Sequence, residues 1–349
     1  MMNFEELIEQ ARLDECSDVH ITVGTAIARR KFGKLEIMDL VPKAEESKAL
    51  ILEKLTKEQK EKVLNGQDLD FAIMMPNGTR LRANIYHQRN NLAAVYRILN
   101  NTIPSFEELH VPDVVRKLAE EPRGLVLITG PTGSGKTTTM ASMVEYINKN
   151  MDRHIITVED PIEYVYRHDK SMIHQREIGK DVDSYATALY SALREDPDVI
   201  LVGEMRDYET IRAAITAAET GHLVLSTLHT TNAAQTVERI IEAYPPHGQN
   251  QVRSQLSGVL KGVITQVLVP LENGKGREVA TEVLMNTDAV ANQIRENKIH
   301  LISNTIQSGA AMGMHTLDSD LRRLVREWKI SEETALRFCA NPKSFSSLA

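Results

Sequence analysis

The run Gly130-Pro131-Thr132-Gly133-Ser134-Gly135-Lys136-Thr137 constrains this chain more than any other stretch. It follows the apolar residues 125–128 and leads into Thr138-Thr139-Met140-Ala141, so it reads as strand, glycine-rich loop and helix. The spacing G-x-x-x-x-G-K-[ST] is that of a phosphate-binding loop. Glycines let the backbone curl until successive N–H groups converge on phosphate oxygens, and the helix N-terminus adds its dipole. On this reading Gly130, Thr132, Gly133, Ser134, Gly135 and Thr138 form the cradle. Lys136 reaches the β- and γ-phosphates, and the Thr137 hydroxyl holds Mg²⁺. A turn with only a structural task has no need of the Lys-Thr pair. The pattern implies binding of a nucleoside triphosphate, ATP with Mg²⁺.

At 349 residues the chain is long enough for two domains with full cores. The net charge of −7, with no basic run, argues against a general nucleic-acid binder. Cys16 and Cys339 sit at opposite ends without C-x-x-C spacing, which excludes a cysteine zinc cluster and points to a reducing compartment. No apolar stretch approaches the ~18 residues needed to span a bilayer. Asn3 and Glu6 stand at capping-box spacing, so the N-terminus opens an amphipathic helix and not a signal peptide. The expectation is a cytoplasmic protein without membrane insertion of its own, brought to a membrane by a partner.

Residues 1–100 read as a small α+β domain. Thr56 and Gln59 box the start of a helix, and Pro76-Asn77-Gly78-Thr79 lies between two alternating runs, 69–75 and 80–86, which predicts a hairpin. A third strand, 92–99, follows. Asn100-Asn101-Thr102-Ile103-Pro104-Ser105 is polar and proline-broken, so the interdomain linker falls at 101–112. From 113 to 270 the pattern becomes α/β. Strands at 125–129, 155–159, 199–203 and 223–227 are near-continuously apolar, which predicts a parallel sheet covered by helices on both faces. Ile211, Ala214, Ile215 and Ala218 give one covering helix a narrow apolar stripe. Residues 271–349 read as mostly helical, with Leu317, Leu321, Leu324, Val325 and Trp328 at helix spacing.

Hydrolysis needs more than phosphate binding: metal ligands, a base that orients water, and positive charge for the transition state. Glu204 ends the apolar strand 199–203, where an open parallel sheet places its ligand groups, and is a candidate for metal and catalysis. Glu159, Asp160 and Glu163 crowd three carboxylates into five residues after another strand. Their repulsion predicts a cationic centre such as a metal-bound phosphate, with Glu159 or Asp160 as further metal ligands. Glu163 and Glu204 both qualify as the base. His229, at the carboxyl end of the strand 223–227, is a candidate γ-phosphate sensor, and His222 stands at that strand's other end. Arg82 and Arg97, with Arg80, could neutralise phosphate charge from the first domain, and Arg194 is a candidate acting across a subunit boundary.

Taken in order, these blocks resemble the secretion/pilus ATPase superfamily, and within it the PilT-type twitching-motility retraction branch. The matching strings are 130–139, 159–164, Gln175-Arg176-Glu177, 191–198, 203–207 and 216–231, with looser matches at Ser17-Asp18-Val19-His20 and Arg82-Ala83-Asn84. The resemblance implies a PAS-like N-terminal domain joined to a RecA-like ATPase domain, six copies in a ring, and retraction of the type IV pilus against an inner-membrane platform protein. The acidic balance and the lack of a basic run lead to no expected nucleic-acid partner. Where the family tends to show a proline pair and an Arg-x-Asp-Gly turn, this chain has Thr25-Ala26-Ile27-Ala28 and Phe32-Gly33-Lys34, so that strand pair is expected to be altered. The family's Ala-Ile-Arg motif, tied to retraction and not to hydrolysis, survives here only as Ile294-Arg295-Glu296. Assembly and type II secretion members carry four zinc-binding cysteines and a longer N-terminal region, which favours the retraction branch. A pilus-assembly or type II secretion ATPase is the alternative, and a RecA-like nucleic-acid translocase a more distant one.

Overall fold

Asn3 starts the first helix as its spacing with Glu6 predicts: its side chain accepts from the Glu6 N–H, and the Glu6 carboxylate accepts from the Asn3 N–H. In this computed structural model, which describes residues 3–99, 102–342 and 345, the chain divides into two compact units. One is Met1–Thr102 with Pro161–Val165; the other is Ile103–Asp160 with Tyr166–Ala349. Asn100 and Asn101 of the expected linker lie outside the described residues, and Ser105 caps a short helix.

The first unit contains α1 (Phe4–Leu13), β1 (Cys16–Thr22), β2 (Ala28–Lys31), β3 (Lys34–Ile37), α2 (Ala44–Leu52), α3 (Lys57–Leu64), β4 (Leu69–Met74), β5 (Arg80–Gln88) and β6 (Asn91–Leu99). Its antiparallel sheet runs β3-β2-β1-β6-β5-β4. The expected hairpin is present, with Gly78 at φ 83° and the Asn77 side chain accepting from the Thr79 N–H at 2.9 Å. α1 buries Phe4, Leu7, Ile8 and Ala11, one helical stripe, against the sheet residues Val19, Ile21, Leu81, Ile85 and Tyr96. Each fully buried side chain of this size is worth about 1.5–3 kcal/mol. The segment that departs from the family pattern forms β2 and β3, closed by Phe32 and Gly33.

The second unit contains α4 (Phe106–Leu109), α5 (Val114–Ala119), β7 (Gly124–Thr129), α6 (Lys136–Asn150), β8 (His154–Glu159), β9 (Met172–Glu177), α7 (Tyr185–Ala192), β10 (Val199–Val202), α8 (Tyr208–Glu219), β11 (Leu223–Leu228), α9 (Ala233–Glu242), α10 (Gln249–Val259), β12 (Leu260–Pro270), β13 (Arg277–Met285), α11 (Asp288–Arg295), α12 (Ile302–Ser308), α13 (Leu317–Arg326) and α14 (Glu332–Phe338). The sheet order is β13-β12-β7-β11-β10-β8-β9, parallel throughout except for β13. β7 shows why its period-two signal is lost. Leu125 and Leu127 pack with α8 and α10, while Val126 and Ile128 pack with α5 and α6, so both faces are apolar.

Two differences from the sequence pattern have clear causes. The sheet continues past residue 270: β13 pairs with β12 along 277–285, and Leu284, Val290, Ile294, Ile302 and Ile306 lie in the same core as α8. The region after 270 therefore adds a strand to the sheet and side chains to the central core, and its remaining elements are helical. Trp328 does not extend the apolar stripe of α13. The helix ends at Arg326, Trp328 turns left-handed (φ 57°) and is 84% exposed, and the Trp328 and Lys329 N–H groups bond to Val325 O and Leu324 O. This is a Schellman termination with tryptophan in the position usually held by glycine.

Candidate nucleotide site

Between β7 and α6 the chain makes a tight loop in which Gly130, Gly133 and Gly135 all have positive φ (140°, 79° and 89°). At Gly130 the requirement is also steric: a Cβ there would stand 2.2 Å from Gln266 O. β12 lies beside β7 with Thr265 opposite Thr129, their hydroxyls 2.8 Å apart, and this register brings Gln266 under the loop. The Gln266 amide donates to Ser134 O at 2.8 Å. Lys136 is buried, and its Nζ donates to Gly130 O (2.9 Å) and Pro131 O (3.0 Å). Burial pulls its pKa below the usual lysine range, partly offset by the Glu204 charge. The Ser134 hydroxyl is buried with no hydrogen-bond partner. Thr137 and Thr138 are half-buried in the first turn of α6, while Thr132 and Gly133 are exposed. A concave backbone with no room for side chains, an orphaned hydroxyl and a desolvated ammonium at a helix N-terminus fit a bound phosphate group.

The carboxyl ends of β10 and β11 border this sheet edge. The Gly203 N–H bonds to Val158 O, and Thr227 Oγ1 donates to Gly203 O at 2.7 Å, which fixes the turn that presents Glu204. Glu204 Oε2 meets Arg206 Nε at 2.7 Å and His229 Nε2 at 3.3 Å. Its charge acts on both Lys136 and the Tyr185 phenol, which burial holds well above the ordinary tyrosine pKa. Lys136, Glu204 and His229 therefore share one end of the sheet. His222 stands at the opposite end of β11, its Nδ1 on Ala217 O at 2.9 Å, and Arg194 is exposed. Among the described residues no cluster of three or more acidic, histidine or cysteine side chains forms a protein-only metal cage. An Mg²⁺ ion at a phosphate site takes most of its ligands from phosphates and waters and needs no such cage.

The acid cluster 159–163 is divided. Glu159 ends β8 buried, its Oε1 accepting from Thr157 Oγ1 (2.7 Å) and Gln175 Nε2 (3.2 Å), while Asp160 is exposed. Glu163 belongs to the first unit, where it lies in the field of Arg82, Arg97 and Arg80. The repulsion expected among three carboxylates is thus relieved for Glu163 by guanidinium groups of the sheet. Burial raises its pKa, and those arginines oppose the rise without cancelling it. Register explains the cationic patch: Arg82 on β5 stands directly opposite Arg97 on β6. Like charges in that position destabilise a sheet, and each is balanced by an acid, Arg82 by Asp70 (3.0 Å) and Arg97 by Asp18 (3.0 Å).

Gln266, Tyr185 and Arg206 carry no role in the sequence motifs. Gln266 could be found only by placing β12 next to β7, a pairing between residues far apart in the chain.

The family described as "Type II/IV secretion system protein" matches residues 2–337. The chain is 49% identical to the "Twitching motility protein" of Neisseria gonorrhoeae over 303 residues, covering 87% of this chain and 81% of the relative. It is 42% identical to the "Type IV pilus retractation ATPase PilT" of Pseudomonas aeruginosa over 345 residues, 99% of this chain and 100% of the relative. Among solved structures, "Crystal Structure of the Pilus Retraction Motor PilT and Bound ADP" superimposes with a TM-score of 0.90 at 42% identity, covering all of both chains.

Proposed function

The chain belongs to the Type II/IV secretion system protein family, and on that premise we propose that it is a motor ATPase that hydrolyses ATP to power retraction of a type IV pilus. The observation that carries this is the loop 130–137, with its orphaned Ser134 hydroxyl and buried Lys136, in a chain alignable along its whole length with a retraction motor that binds ADP. Bound ATP with Mg²⁺ would supply the phosphoryl group to be cleaved. The loop N–H groups and Lys136 would hold its phosphates, and Thr137 and Glu204 the ion. Glu204 is placed on the metal side, with Arg206 and His229 fixing its carboxylate. Glu163 is the proposed base, and Arg82 and Arg97 further members of the catalytic set. We assign the first unit as PAS-like and the second as RecA-like. We place six copies in a ring, working in the cytoplasm against an inner-membrane platform protein. No helix among the described residues is long and apolar enough to cross a membrane, which fits recruitment by such a partner.

Two measurements test the reading. The purified chain should release phosphate from ATP only with Mg²⁺, without stimulation by DNA. Cells lacking it should accumulate surface pili and fail to retract them; bald cells would indicate an assembly motor instead.

Glu163 gives a pH signature. A base must be ionised to work, so turnover should fall as pH drops through its pKa, which burial sets above the ordinary glutamate value of about 4.3. Glu163→Gln should lower kcat by about two orders of magnitude and erase that acidic limb. A variant that keeps both rate and limb removes Glu163 from catalysis.

A further inference from the structure

The hairpin of β2 and β3 turns on only two residues, Phe32 and Gly33, both left-handed (φ 48° and 82°). Such a turn favours Asn-Gly, and a bulky aromatic at positive φ is an outlier. No packing compensates here, because Phe32 is 64% exposed. The flanks are equally unusual. Register places Lys31 directly opposite Lys34, a repulsive pairing. Arg29 is balanced by Asp14 and Glu36. Lys31, Lys34 and Arg30 form no ion pair among the described residues; Arg30 donates to Gly33 O at 2.9 Å, and Lys31 Nζ lies 5.7 Å from the Phe32 ring centre. Leu35 (53%) and Ile37 (74%) are exposed on the hairpin's other face, which Arg30 shares. In a chain of net charge −7, three uncompensated cations gather around an exposed aromatic tip and two exposed aliphatics.

We propose that this hairpin is a contact for an anionic lipid surface. Lys31, Lys34 and Arg30 would meet headgroup phosphates, relieving the Lys31–Lys34 repulsion. Phe32, with Leu35 and Ile37, would enter the boundary between headgroups and acyl chains. The two aliphatics favour a bilayer over single-stranded nucleic acid, whose bases call for a series of aromatic platforms where this hairpin has one. The tip lies on the membrane and does not span it. It is independent of the nucleotide site, and adds a contact made by the chain itself to any recruitment by a partner.

The full chain should co-sediment with vesicles of equal parts phosphatidylcholine and phosphatidylglycerol, weakly with phosphatidylcholine alone, and less as salt rises. Each cation near such a surface is worth about five-fold in affinity. Lys31→Glu with Lys34→Glu should therefore weaken binding by at least about 25-fold. Phe32→Asn suits the left-handed backbone, so it should keep the thermal midpoint and ATP turnover while weakening vesicle binding by about ten-fold. The fold-neutral Phe32→Asn keeps the test decisive if the charge reversal disturbs the hairpin. Wild-type protein that does not sediment, or variants that sediment as the wild type does, would overturn the proposal. So would binding to a labelled single-stranded oligonucleotide that the same substitutions abolish while vesicle binding is unchanged.

Discussion

Lys136→Ala should give a folded protein with no measurable ATP turnover, a loss of at least about three orders of magnitude. The ammonium is buried on two backbone carbonyls, Gly130 O and Pro131 O, inside a loop that offers no acid in direct contact. Its lowered pKa reports the cost of desolvating that charge in the folded chain. A phosphate arriving in the loop supplies the missing counter-charge, and the lysine meets that charge in both the ground and the transition state. Removing it should therefore leave the thermal midpoint without nucleotide unchanged or slightly raised. α6 stays anchored by Met140, Met143, Val144 and Ile147. The rise in midpoint that ATP gives the wild type should disappear, since a ligand stabilises only as far as it binds the folded state. Phosphate release and melting with and without ATP measure both parts. Turnover within a few-fold of wild type would remove the phosphate-loop reading.

The strands that present this loop were legible because they are buried on both faces. β7, β8, β10 and β11 read as near-continuous apolar runs with breakers at their ends. β9 escaped because it is the sheet's outer strand: His174, Gln175 and Arg176 are polar, and Met172 is 55% exposed. β12 follows α10 directly at Val259–Leu260, so only Gly258 and Gly262, with no proline or polar loop, mark the change from helical to extended period. β2 and β3 were indicated only by the family resemblance: residues 28–37 are half-buried or exposed, so no apolar alternation marks them. The loop residues could be named from spacing because phosphate binding uses local backbone. The split of Glu163 from Glu159 and Asp160 could not, because it depends on which sheet offers the compensating guanidinium groups. Only a register between strands shows that Arg82 faces Arg97.

Glu204→Gln should retain nucleotide binding and lower turnover by about two orders of magnitude or more. The carboxylate is only 18% exposed and gathers Arg206 at 2.7 Å and His229 at 3.3 Å on the same oxygen, Oε2. An amide of the same shape can still accept one of these bonds, so the turn held by Thr227 Oγ1 on Gly203 O should survive. What disappears is the negative charge. Its loss removes a repulsion towards incoming phosphates, so ATP affinity should hold or tighten, and any fall in kcat then belongs to the chemical step. It also removes a hard anionic ligand. If Glu204 works on the metal side, the Mg²⁺ concentration for half-maximal turnover should rise in the variant, whereas Glu163→Gln should leave it unmoved. Should Glu204→Gln hydrolyse ATP normally, the acid merely ends a strand. Should it lose turnover with an unchanged Mg²⁺ requirement, Glu204 acts on the attacking water and exchanges roles with Glu163.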